Sequence, residues 1–167
     1  SIFSRFIVEI DNENLELTLH EPSKYRPSKF ATKIPMQIVN TKPYINTTLH
    51  IRDSLSTDLK MLIDTGASHA LLLDKESDGI FLPNKFINTI VGRGIGGDIH
   101  GYLGRVNCFS IGKYKFENPI SSFPVAGAYG NAILRGSRNG TIGGEILTRF
   151  NLVFDYNRGM LYVKKNL

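Results

Sequence analysis

Apolar and polar residues alternate in short bursts along most of this chain, and the bursts are cut by turn-forming residues. Phe6, Val8 and Ile10 alternate, Asp11-Asn12-Glu13-Asn14 supplies a turn, and Leu15, Leu17 and Leu19 alternate again, so Arg5 to His20 is predicted to be a β-hairpin. Glu21 to Lys33, with Pro22 and Pro27 among Lys, Arg and Ser, reads as an extended connector and marks a module boundary. Short strands are predicted over Ile34 to Val39 and Tyr44 to Ile51, followed by a polar turn over Asp53 to Asp58 and a strand from Leu59 to Asp64. Ala70 to Leu73 is a further inner strand, Asp74 to Gly79 a polar excursion, and Phe81 to Phe86 shows no period. Strands over Phe86 to Val91 and Ile99 to Val106 flank a glycine-rich tip. Phe109 to Lys115, broken by Gly112-Lys113, and Pro119 to Val125 complete the middle of the chain. Ala126 to Gly140 lacks a period and reads as a long mobile loop. Ile146, Leu147 and Phe150 fall on one face of a short helix, and Leu152 to Asp155 with Met160 to Val163 form a last hairpin about Tyr156-Asn157-Arg158-Gly159.

Composition supports the all-β reading. With 167 residues, 41% hydrophobic, the chain has enough apolar surface for one domain and too little for two. Sixteen glycines, ten phenylalanines and seven tyrosines suit strands joined by tight turns. The net charge is +5, but Lys24, Arg26, Lys29, Lys33, Arg93, Arg105, Arg135, Arg138 and Lys164-Lys165 are scattered. A nucleic-acid footprint would cluster them among stacking aromatics, so no nucleic-acid partner is expected. Cys108, the one cysteine, reads as a core or strand residue. No apolar run has the length of a membrane span, and no signal-peptide pattern stands at the start, although the chain opens on Ser1 rather than Met. His20, His50, His69 and His100 lack ligand spacing, so neither a metal nor another cofactor is expected.

The candidate chemistry lies in Met61 to Leu73. An apolar run reaches Asp64, breaks at Gly66 beside the hydroxyls of Thr65 and Ser68, and resumes at Ala70-Leu71-Leu72-Leu73, so a buried strand hands an acid to a tight loop. A lone ionised carboxylate is costly to bury, so Asp64 is expected either to share a proton with a second acid or to accept bonds from the loop's own amides and hydroxyls. The bland reading is an Asp that caps its own turn.

Asp64-Thr65-Gly66-Ala67-Ser68, with Leu62-Ile63 before it and Ala70-Leu71-Leu72 after, resembles the active-site loop of the retropepsin-like aspartic proteases. The group most similar to it is the bacterial aspartyl-protease-like proteins that often carry a PDZ domain. The resemblance implies a closed β-barrel lobe with one short helix over residues 34–167, preceded here by an N-terminal hairpin and connector over residues 1–33. It implies a half-site, in which Asp64, Thr65 and Gly66 are catalytic and a second lobe, from a homodimer or a longer chain, brings the other aspartate. Ala67 and Ser68 would touch peptide substrate. The glycine-rich tip Gly92 to Asp98 resembles the family's flap, so Gly94, Ile95, Gly96 and Gly97 would close over an extended peptide. The same residues satisfy G-x-G-x-x-G, but Gly101 and Gly104 make the following segment a poor helix, which excludes a dinucleotide site. Thr141-Ile142-Gly143-Gly144 resembles the element that threads behind the catalytic loop, with Thr141 where the family more often has a large apolar residue. Export to a periplasm or medium is a further implication of the resemblance.

The reaction implied is peptide-bond hydrolysis by a water activated between two carboxylates. Two other readings remain open on sequence: a non-catalytic lobe that dimerises or binds extended peptide, and a basic β-barrel that binds polyanions.

Overall fold

The computed structural model describes residues 2–52, 55–94, 97–125 and 138–166. Among the described residues the alternating segments form fourteen strands, and helix is confined to two four-residue pieces, α1 (Ile2–Arg5) and α2 (Gly144–Leu147). Of the sequence expectations, Ile95 and Gly96 at the hairpin tip and most of the long loop, residues 126–137, lie outside the described residues.

The N-terminal hairpin is β1 (Ile7–Asp11) and β2 (Glu16–His20), and after the connector come β3 (Thr32–Val39) and β4 (Lys42–Arg52). β5 (Leu55–Ile63) begins earlier than its apolar run suggests. The polar residues at its start are accommodated by pairing with β4, where the Thr48 hydroxyl donates to Asp58 Oδ1 at 3.0 Å. Next are β6 (Leu71–Leu73) and the long hairpin β7 (Phe86–Gly94) with β8 (Gly97–Arg105). β9 (Cys108–Ile111) and β10 (Tyr114–Glu117) turn at Gly112, whose φ of +55° a side chain would resist. β11 (Ile120–Pro124) and β12 (Gly140–Ile142) lead to α2, and β13 (Phe150–Asp155) with β14 (Met160–Lys165) ends the chain.

Hydrogen-bonded neighbours run β2-β1-β13-β14-β3-β4-β5-β12-β6-β11-β8-β7. This path has two free ends, so the described strands make an open sheet and not the closed barrel expected. The eleven-residue β4 explains the departure. One of its edges pairs with β5 along its length, while the other is shared between β3 near its start and β9 near its end, so the sheet forks there and does not return on itself.

The core follows the apolar runs. Met61, Leu62 and Ile63 and the whole of β6 are buried, as strands covered on both faces must be. Phe109, Phe123, Leu59, Ile142 and Ile146 fill the space between them. Cys108 is buried on β9. No described helix is long and apolar enough to cross a membrane.

Candidate active site

Asp64 stands where β5 runs out of the core. Ile63 before it is 4% exposed, whereas Asp64, Thr65, Gly66 and Ser68 are exposed and Ala67 is half-buried. The acid is therefore presented at the surface of this chain and not enclosed by it. Of the two fates open to Asp64, the chain itself supplies one: the Gly66 amide donates to Asp64 Oδ1 at 3.1 Å, and the Ala67 amide donates to the Asp64 carbonyl at 3.3 Å. Two short bonds turn the backbone tightly and aim the carboxylate.

The loop is held from behind. β12 lies between β5, to which it is parallel, and β6, to which it is antiparallel. The Asp64 amide donates to the Ile142 carbonyl at 3.0 Å, the Gly143 amide to Ala70 at 3.0 Å, and the Gly144 amide to Ala67 at 2.6 Å. Both glycines are demanded by proximity. A Cβ on Gly143 would lie 2.1 Å from the His69 carbonyl oxygen, and one on Gly144 would lie 2.9 Å from that of Ala67. Thr141, the departure from the family pattern, is 4% exposed and sits opposite Leu62 and Leu72.

Asn139 adds a clamp that sequence patterning does not reveal. Its Oδ1 accepts the Lys60 amide at 2.7 Å, its amide donates to the Lys60 carbonyl at 2.8 Å, and its carbonyl accepts the Asp74 amide at 2.9 Å. Residing at the end of an unpatterned loop, it offered no periodic cue.

His69 packs inside the same loop. Burial lowers its pKa below the ordinary imidazole value, and the carboxylates of Asp64 and Glu145 offset this only in part. Its Nε2 is enclosed and has no hydrogen-bond partner among the described residues. A neutral ring that fills space behind the acid loop fits these surroundings.

Of the other expected contact residues, Gly94 and Gly97 lie on the β7–β8 hairpin, separated from β5 in the sheet by β12, β6 and β11. Gly94 and Gly97 face one another across its end, and Gly97 has φ +109° with open space where a Cβ would stand. The hairpin is anchored at its base by close backbone approach, since a Cβ on Gly101 would lie 2.5 Å from the Phe123 carbonyl and one on Gly104 2.4 Å from the Pro83 ring. A cleft of about 630 Å³ beside that base is lined by Pro83, Phe86, Ile87, Leu103, Arg105 and Ile120, but by none of residues 64–70. That cleft and the acid loop are therefore separate features among the described residues. No group of three or more metal-ligating side chains occurs among the described residues.

Comparison with known proteins agrees with this geometry. The aspartyl protease family model matches residues 48–146, which span the acid loop and the β7–β8 hairpin and reach into α2. A solved structure of a retropepsin-like aspartic protease from Rickettsia conorii superposes with a TM-score of 0.50 at 20% identity, over 79% of this chain and 97% of that one. At that identity the likeness is one of fold. No curated protein sequence matches the chain.

Proposed function

The chain belongs to the aspartyl protease family, and we propose that it is one lobe of an aspartic endopeptidase in which Asp64 is one of two catalytic carboxylates. The observation that carries this reading is the presentation of Asp64. A rigid strand end, locked by β12 and the first turn of α2, holds an exposed acid whose Oδ1 is fixed by the Gly66 amide. An acid with only a structural cap to make would have no need of a crossing strand behind it.

Two carboxylates brought about 3 Å apart cannot both ionise, so they share one proton and titrate as a pair. The charged member takes a proton from a water between them as it attacks the scissile carbonyl, and the protonated member donates to the carbonyl oxygen. The same pair then returns a proton to the leaving amine. Thr65 steadies the opposing loop, and Gly66 permits its close approach. Ala67 and Ser68 border the bound peptide, and the tip formed by Gly94, Ile95, Gly96 and Gly97 closes over it with main-chain hydrogen bonds. Residues 34–167 form the lobe, and residues 1–33 are an addition to it. Neither a cofactor nor a metal enters the scheme.

The test is hydrolysis of denatured casein by the assembled enzyme. Cleavage should be blocked by a statine-type transition-state analogue and should fall by ~10²-fold or more on Asp64→Asn. Full activity in that variant would remove Asp64 from the chemistry.

A further inference from the structure

Residues 2–20 and 146–164 are one structural unit occurring twice. At an offset of 144 residues, that of Asp11 from Asp155, the two segments align without a gap. Ile2, Arg5, Phe6, Asp11 and Leu17 meet Ile146, Arg149, Phe150, Asp155 and Leu161. Phe3, Ser4, Val8, Ile10 and Leu19 meet Leu147, Thr148, Leu152, Phe154 and Val163, so apolar positions meet apolar ones and a hydroxyl meets a hydroxyl.

The repeat extends to atomic detail. The Asn14 amide donates to Asp11 Oδ1 at 2.9 Å, and the Arg158 amide donates to Asp155 Oδ1 at 3.0 Å. The Asn14 and Arg158 side chains then donate to the other carboxylate oxygen, at 3.0 and 2.7 Å. Leu15 has φ 58° where Gly159 has φ 61°. A leucine in the left-handed region is strained, and it adopts the conformation that the shared turn demands. Strand registers agree as well, with Ile10 opposite Leu17 and Phe154 opposite Leu161.

The two copies are related by a local two-fold. β1 and β13 pair antiparallel with Val8 opposite Phe154, Glu9 opposite Val153 and Ile10 opposite Leu152. Exchanging every residue for its counterpart turns the first pair into the third and the second into itself, so the axis passes midway between Glu9 and Val153.

The covering differs. β14 continues to β3, whereas β2 ends the sheet. Leu161, Val163 and Phe150 are at most 3% exposed, yet their counterparts Leu17, Leu19 and Phe6 are 62%, 40% and 39% exposed. We infer that residues 2–20 are the closing helix and hairpin of an earlier lobe of the same polypeptide, which covers β2 and supplies the second aspartate. The inference rests on the reading of Asp64 as half of a pair. Carrying β3 through the two-fold lays a strand of that lobe on the free edge of β2, and carrying the acid loop through it lays a second acid loop against α1. A homodimer about this axis is blocked, because the place of a partner's β13 is already taken by β1.

The test begins with the coding frame ahead of Ser1. It should encode an Asp-Thr-Gly or Asp-Ser-Gly triplet roughly 80 residues upstream, which is Asp64 less the repeat offset. It should also encode a glycine two residues before Ser1, the counterpart of Gly143. Expressed with that lobe, the protein should be a monomer that cleaves denatured casein and loses cleavage when either aspartate becomes Asn. A frame without such a lobe, or residues 1–167 alone sedimenting as a dimer that cleaves casein, would overturn the inference. The dimer result would leave the role of Asp64 intact. A two-lobed chain that folds and cleaves nothing would instead overturn that role and leave the repeat unexplained by catalysis.

Discussion

At the scale of single residues, the two kinds of glycine around Asp64 separate structure from chemistry. Gly143 has the His69 carbonyl 2.1 Å from where its Cβ would stand, and a backbone group cannot step aside as a side-chain tip can. Gly143→Ala should cost roughly 2 kcal/mol or more in denaturant unfolding. Gly66 has Asp64 Oδ1 at an ordinary 3.5 Å, so Gly66→Ala should leave the unfolding midpoint of this chain almost unchanged. It should nevertheless lower casein cleavage, because on the proposed pairing the added methyl would stand where the opposing loop approaches. His69 supplies a pH dependence of stability. Its folded-state pKa is lowered by burial, so as pH falls through the ordinary histidine value of about 6.5 the unfolded chain takes up the proton first. Its contribution is present above that pH and lost below it. Thermal midpoints measured between pH 7 and 5 should decline, and His69→Gln should flatten the decline. Ala67 has no hydroxyl to donate to the neighbouring carboxylate and favour its ionisation, so on the proposed pairing the activity optimum should lie above about pH 3, given a pepsin pair titrating near 1.5 and 4.7.

Among the elements, the N-terminal hairpin is joined to the lobe by specific bonds. The Asn12 side chain donates to the Phe150 carbonyl at 2.6 Å, and Asn151 Oδ1 accepts the Asn12 amide at 2.9 Å. Asn12→Ala should cost about 1 kcal/mol and speed amide exchange in β1 more than in β6, which is buried throughout. Strand positions were legible wherever period-two alternation met turn residues, as in β1, β2, β3 and β7. β5 was legible only from Leu59 onward, because Ser56 and Asp58 are polar and their place in the sheet is decided by β4 across from them. The acid loop was legible because Asp-Thr-Gly interrupts two apolar runs. Asn139 was not, since its bonds to Lys60 and Asp74 join segments far apart in sequence. α1 and its kinship to α2 are faint in the letters, with Ser4 for Thr148 and Phe3 for Leu147. They become plain once the shared Asp turn fixes the register.

For the molecule as a whole, the uncovered β2 edge and the exposed acid have one explanation if a second lobe pairs with this one. A lobe whose β2 edge shows Leu17 and Leu19 and whose Asp64 faces outward is a surface made to be covered. Closure expected of a barrel is absent among the described strands because β4 forks the sheet, whose path ends at β2 and β7. The most direct test of the central claim is the rate of casein hydrolysis from pH 3 to 7 by the assembled two-lobe enzyme, with Asp64 and with Asp64→Asn. Cleavage that follows an acidic bell-shaped profile and falls by ~10²-fold or more in the variant, with the unfolding midpoint unchanged, is the predicted result. Equal rates for the two proteins would contradict it.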